Sequence, residues 1–197
     1  VLKAGDPVPA DGVLRVDLHT GPVRARSGRF APDAPTSQGT AQAVSDADVG
    51  RLAALPFAAK GDTRLYLVGQ GLTDAGGARL LGATALARVG VVELTDTPVG
   101  GSTARAAAAL PNLHALSLGG TRVTAAGIAA LIPATGRRLA QLHLHRATGV
   151  TDDAVPHLGR MSGLTLLDIQ GTGLTDGGAA KVVAALPGCH VRWNGRE

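Results

Sequence analysis

The chain has 197 residues, of which 45% are apolar and 2% aromatic, and its formal net charge is +4. This length and apolar fraction predict one folded domain with a sizeable core of Leu, Val, Ile and Ala, and they exclude an intrinsically disordered chain. The single cysteine, Cys189, excludes an internal disulfide framework and a Cys-x-x-Cys metal site.

No stretch approaches the roughly 20 apolar residues that a membrane span requires, so we expect no membrane span. The first residues include Lys3, Asp6 and Asp11, which do not fit the apolar part of a signal peptide. One cysteine is compatible with a reducing compartment, and the cytoplasm is therefore slightly favoured.

The N-terminal residues 1–61 are predicted to form a cap with a degenerate first repeat and a mobile loop. Apolar residues in 13–23 have strand-like spacing. They fit two alternatives equally well: the edge strand of the first repeat, followed by an enlarged loop over 24–43, or a local hairpin that turns at Thr20-Gly21-Pro22. Residues 27–42, rich in Ser, Pro, Gly and Gln, predict a mobile loop.

Residues 44–55 predict the first helix, because Ser45 and Asp48 have the spacing of a capping box. From there a pattern recurs along the chain. Equivalent apolar positions lie 27, 24, 27 and 24 residues apart, which predicts a solenoid of stacked repeats. These positions are Leu72, Val99, Val123, Val150 and Leu174.

Each repeat reads as a strand, a turn and a helix. The L-x-x-L-x-L segment alternates at period two, which predicts a short strand with one buried face. A polar residue before each helix can cap it, and a threonine after most strands is predicted to bond the turn backbone. The predicted caps are Ser45, Thr73, Thr124, Thr151 and Thr175, and the predicted turn threonines are Thr97, Thr121, Thr148 and Thr172.

The full motif, L-x-x-L-x-L-x-G-T-x-V-T-D-A-G, resembles the ribonuclease-inhibitor-like class of leucine-rich-repeat proteins, and most of all its bacterial version. The resemblance covers residues 62–191, and the closing ALPGCHV resembles the end of such arrays. It implies an α/β leucine-rich-repeat solenoid of about five to six repeats, with a curved parallel sheet on the concave face and helices on the convex face. The array and its C-terminal cap would occupy 62–197, and the concave face would bind a protein partner.

Strand residues that point to the concave face form three predicted columns. The middle column is Tyr66, Glu93, Ser117, His143 and Asp168; the flanking columns are Arg64, Val91, Ala115, Gln141 and Leu166, and Val68, Thr95, Gly119, His145 and Gln170. The predicted partner-binding residues are Arg64, Tyr66, Glu93, Ser117, Gln141, His143, His145, Asp168 and Gln170.

Two sharper hypotheses concern His143, His145 and Asp168. They could be metal ligands, or a His–Asp pair could act in acid–base catalysis. A polar binding surface is favoured over both, since the sequence holds none of the common catalytic motifs. We therefore expect a protein that is not an enzyme and that carries no cofactor.

A further alternative is binding of nucleic acid or another acidic ligand through Arg15, Arg24, Arg26 and Arg29. Nucleic acid is disfavoured as a partner, because basic residues are scattered singly along the chain with few aromatic side chains between them. Near the C-terminus, Trp193 is predicted to cover the core of the last repeat and Cys189 to be a small buried core residue.

Overall fold

The structure is a computed structural model, and it describes residues 13–17, 45–53, 63–68, 71–135 and 138–194. The predicted mobile loop at 27–42, the enlarged loop at 24–43 and the turn at Thr20-Gly21-Pro22 lie outside these residues. So do three of the four arginines of the N-terminal alternative, at positions 24, 26 and 29.

Seven strands in the described ranges form one parallel sheet, and their spatial order is their order in the chain. They are β1 (Val13–Asp17), β2 (Thr63–Val68), β3 (Val89–Glu93), β4 (Ala115–Ser117), β5 (Gln141–His143), β6 (Leu166–Asp168) and β7 (His190–Arg192). Because β1 pairs in parallel with β2, the structure has the edge-strand alternative for 13–17. The strand β7 was not predicted as a member of the sheet.

A helical segment lies between successive strands, so the backbone alternates between sheet and helix as the repeats predict. The α-helices are α1 (Val49–Ala53), α2 (Asp74–Leu81), α3 (Gly101–Ala108), α4 (Ala125–Thr135), α5 (Val155–Leu158) and α6 (Asp176–Ala185), with 3-10 turns at Asp46–Asp48, Thr84–Arg88 and Asp152–Ala154. This α/β architecture is compatible with a leucine-rich-repeat-like solenoid.

The core lies between the sheet and the helices. Leu65, Val92, Leu116, Leu142 and Leu167 are aligned across five strands and are at most 1% exposed. Each such side chain contributes about 1.5–3 kcal/mol when it is removed from water. Since side chains alternate along a strand, this inner column sends the residue on either side of it to the opposite face, which we call the open sheet face.

Side-chain caps define where several helices begin. Thr73 and Thr175 accept N–H bonds from Gly76 and Gly178 at 3.1 and 3.0 Å, as predicted. The prediction for Thr151 was wrong, because a 3-10 turn follows it and the Ala154 N–H donates to the Thr151 carbonyl instead. Ser45 forms the predicted capping box with Asp48.

A threonine hydroxyl, buried in Thr97 and Thr121 and partly buried in Thr172, closes the turn after three of the strands. Thr97, Thr121 and Thr172 donate to the carbonyl three residues earlier at 2.6, 2.7 and 2.8 Å. The prediction for Thr148 was wrong: the equivalent position is held by Ala147, which is fully buried, while Thr148 is exposed. This repeat has one extra residue in its turn. Thr148 therefore lies one position beyond the residue that is equivalent to the turn threonines of the other repeats.

Aspartates at the start of the helices join one repeat to the next. The carboxylate of Asp46 accepts both the N–H and the hydroxyl of Thr73, and Asp152 does the same for Thr175. These bonds lower the pKa of both aspartates, with the threonine hydroxyl as the largest cause. The stacking of repeats is therefore held by polar bonds on the helix side as well as by the apolar core.

Candidate functional site

The parallel register places the predicted middle column side by side on the open sheet face. Tyr66 pairs with Glu93, Glu93 with Ser117, Ser117 with His143, and His143 with Asp168, which confirms the predicted alignment. The flanking column of Arg64, Val91, Ala115, Gln141 and Leu166 is aligned in the same way.

The sheet also extends both columns onto β7, which the sequence analysis missed. Arg192 continues the middle column beside Asp168, and His190 continues the flanking column beside Leu166. A signal was present: Arg192 follows Asp168 by 24 residues, one of the two repeat lengths.

The predicted binding residues differ in how much surface they offer. Arg64 and Gln141 are exposed, and Tyr66 and His143 are partly exposed along with Glu93, His145 and Gln170. Ser117 and Asp168 are only 4% and 6% exposed, because each is enclosed by larger neighbours in its row. These two residues therefore offer a partner little accessible area.

Asp168 is the centre of a polar cluster. Its Oδ1 accepts the N–H of Gln170 at 3.1 Å, and its Oδ2 lies 4.0 Å from His143 Nδ1 and 3.9 Å from Arg192 Nη1. A nearly buried carboxylate needs such partners, since an unpaired charge away from water is costly. The cluster therefore places the His143 imidazole, the Asp168 carboxylate and the Arg192 guanidinium next to one another at the ends of β5, β6 and β7.

The surroundings of His143 favour its neutral form. Burial lowers the pKa of His143 below its ordinary value of 6.5, and the negative charges of Asp168 and Glu93 only partly offset this effect. His145 and Arg192 lower the pKa further through repulsion. Neutral imidazole can both donate and accept a hydrogen bond, which suits a binding surface.

His145 does not join His143 and Asp168. Its ring packs over Gly119 on the neighbouring repeat, where an added Cβ would lie 2.3–2.7 Å from three ring atoms. Within the described part of the chain, no three His, Cys, Asp or Glu side chains are grouped so that they could hold a metal ion. The structure thus does not assemble the metal site that His143, His145 and Asp168 suggested.

An ion pair crosses the turns that follow β3 and β5. Arg146 Nη2 lies 3.1 Å from Asp96 Oδ2, and the pair passes over Gly120, where a Cβ would clash with the Asp96 carboxylate. Asp96 and Arg146 have φ of 57° and 59°, and Gly120 and Gly171 have φ of 63° and 64° at the equivalent turn positions. Non-glycine residues adopt this conformation at a cost, so the turn orients Arg146 under strain.

Two depressions lie on the open sheet face. One, of about 290 Å³, contains Tyr66 and Glu93 with apolar lining from Val91 and Ala115. Beside it, the Thr95 hydroxyl bonds to the Glu93 carboxylate and lies 2.9 Å from Ser117 Oγ. The other, of about 470 Å³, is lined by His145, Arg146, Asp168, Gln170, Gly171 and Arg192.

Other residues named in the sequence analysis lie near the C-terminus or in the edge strand β1. Trp193 is partly buried and packs against the core beside β7, as predicted. Cys189 is partly rather than fully buried, and burial raises the pKa of its thiol. Arg15 is in β1 opposite Tyr66. In the described residues, no helix has the length and apolar character to cross a membrane.

Comparison with known proteins supports the fold. No family model matches the chain, and no curated protein matches it. Among solved structures, the chain is similar to Leiomodin-1 Actin-Binding Site 2, with a TM-score of 0.51 and 18% sequence identity. The similarity covers 75% of this chain and 90% of that one. At this identity the similarity concerns the fold alone.

Proposed function

We propose that this chain is a protein-binding leucine-rich-repeat protein of the ribonuclease-inhibitor-like class, and that its partner binds the concave strand face. The observation that carries the proposal is the continuous row of Tyr66, Glu93, Ser117, His143, Asp168 and Arg192 across six neighbouring strands. A rigid row of varied polar groups with one aromatic side chain suits recognition of a folded or extended protein segment. Residues 1–61 would cap the array formed by 62–197.

A binding role fits the row better than catalysis does. Ser117, His143 and Asp168 stand side by side, but Ser117 is 4% exposed and its hydroxyl is shared with Thr95. The N–H that follows Ser117, on Leu118, is bonded to the His143 carbonyl at 2.8 Å and is not available to an oxyanion. We therefore propose a protein that is not an enzyme and needs no cofactor.

A protein partner also fits better than nucleic acid. Tyr66 is the one tyrosine of the chain, and it has no second aromatic beside it in the row, so the face offers no stacking platform for bases. The name of the similar structure, Leiomodin-1 Actin-Binding Site 2, describes actin binding by that protein. The similarity concerns the fold alone, so the proposed partner is a protein and is not identified as actin.

A crosslinking pull-down from the native cell tests the proposal. The double variant Tyr66→Ala/His143→Ala removes two partly exposed side chains of the row. The matched control, Arg105→Ala/Lys181→Ala, removes two exposed side chains from α3 and α6 on the helix side. All three proteins are first brought to equal folded fraction, judged by circular dichroism.

We expect the control to retain the wild-type partner and the row variant to lose it. Retention by the row variant would contradict the proposal and move attention to the N-terminal segment. Loss in both variants would show that the partner does not depend on the open sheet face in particular.

A further inference from the structure

The larger depression on the open sheet face has two cationic walls. Arg146 and Arg192 both line it, with side chains that are 61% and 38% exposed. His145 adds a third nitrogen-bearing side chain. Guanidinium groups present paired N–H donors that match the two oxygens of a carboxylate.

The acidic groups near these arginines leave the depression open to another anion. Asp168 is nearly buried and already has Gln170 and His143 as neighbours, while Arg192 lies at 3.9 Å, beyond a good hydrogen bond. The Arg146–Asp96 pair is exposed on both sides, and exposed ion pairs are weak. Each guanidinium has five N–H donors and lies near one carboxylate, so a further carboxylate can bind between the arginines while both existing pairs remain.

The smaller depression has a mixed lining. Tyr66, Val91 and Ala115 give it aromatic and aliphatic surface, beside the polar side chains of Arg64, Glu93 and His143. It centres on β3 and β4 and the larger one on β6, so about 12 Å separates them at the usual strand spacing of about 4.8 Å. An extended peptide advances roughly 3.3 Å per residue, so three or four residues cover this distance.

We propose that the partner is recognised through an extended acidic segment that crosses the strands. Its carboxylate binds between Arg146 and Arg192, and an apolar side chain three or four residues away occupies the depression at Tyr66. This inference rests on the proposed function and adds the chemistry of the partner. A nucleic-acid backbone is disfavoured, because Tyr66 has no second aromatic side chain beside it in the row and the face offers no stacking platform for bases.

A random decapeptide display library, selected on the full chain, tests the inference. The best selected peptide and its Asp/Glu→Asn/Gln form are then measured by fluorescence anisotropy against the wild type, Arg146→Gln and Arg192→Gln. Arg105→Gln is the matched control, since it removes the same charge from an exposed position on α3. A thermal midpoint for each variant separates lost binding from lost folding, and a single-stranded DNA oligonucleotide serves as the competing anion.

We expect selected peptides to contain an acidic residue three or four positions from an apolar one. Neutralising that acid, or either arginine, should weaken binding about 10-fold or more, while Arg105→Gln leaves it unchanged. The loss should shrink as salt is added, since the arginines are partly exposed.

Peptides without acidic enrichment, or equal affinity for Arg146→Gln and wild type, would overturn the inference but leave the protein-binding function standing. An empty selection would also overturn it, and the pull-down would then decide whether the face binds a folded partner. Tighter binding of the oligonucleotide than of any peptide would replace the acidic peptide with nucleic acid and would contradict the proposed function too.

Discussion

Replacing Asp74 by Asn should destabilise the protein, because the Asp74 carboxylate caps the helix of the following repeat. It accepts N–H bonds from Gly100, Ser102 and Thr103 at 2.7, 3.0 and 2.8 Å. Burial acts to raise the pKa of Asp74, but the bonds from Thr103, Gly100 and Ser102 outweigh it and lower the pKa to about 2. Asparagine keeps one acceptor oxygen and loses the charge that favours the helix N-terminus.

The pKa of Asp74 sets both the size and the pH range of this effect. A carboxyl with a pKa of about 2 in the folded state and 3.8 in the unfolded state contributes about 2.4 kcal/mol at neutral pH. Because Asp74 is partly exposed, solvent screening reduces the expected loss to about 1–2 kcal/mol. The folded pKa is the lower one, so the stabilisation is complete above the unfolded value of 3.8 and disappears as pH falls towards 2.

Urea unfolding of wild type and Asp74→Asn between neutral pH and about pH 2 measures the difference in the free energy of unfolding. Circular dichroism and Trp193 fluorescence should give coincident transitions if the repeats unfold together. The control is Asp153→Asn, which removes an exposed carboxylate from the Asp152–Ala154 turn. An equal loss in the two variants, or a difference that is unchanged at the acidic end, would refute the capping argument.

Two further substitutions and one titration have defined outcomes. Thr121→Val removes the buried hydroxyl bond to the Leu118 carbonyl and should cost about 1 kcal/mol in urea unfolding; no loss would mean that the bond contributes nothing net. Gly119→Ala should push the His145 ring off its present position, seen as a change in its NMR shifts, and unaltered shifts would contradict the contact. His143 should titrate below pH 6.5 by NMR, since burial lowers its pKa. Its contribution to stability is then full above 6.5 and falls as pH drops towards the folded pKa, and a midpoint at or above 6.5 would contradict this.

The repeat pattern predicted most of the backbone arrangement from local rules. Alternation at period two separates Leu116 and Leu142, which face the core, from Ser117 and His143, which face outward. The recurring strand motif then brings equivalent residues of neighbouring strands together, although the repeats differ in length by up to three residues. The middle column was predictable for this reason, without knowledge of any long-range contact.

Counting along the chain failed where a repeat departs from its own period. Thr148 was expected at the turn position that Ala147 occupies, because one added residue shifts the sequence against the backbone. Thr151 was expected to cap a helix that starts with a 3-10 turn. Both are local irregularities of one repeat, which the motif shared by all repeats does not contain.

The sequence alone determined that strands, turns and helices repeat and which strand residues share a face, because both properties depend on spacing within one repeat. Only the tertiary structure decided which side chains meet across repeats. It placed the His145 ring against Gly119, and it joined Asp96 to Arg146 over a glycine. A side chain adopts its rotamer according to the neighbours that stacking brings to it, and those neighbours belong to other repeats of the chain.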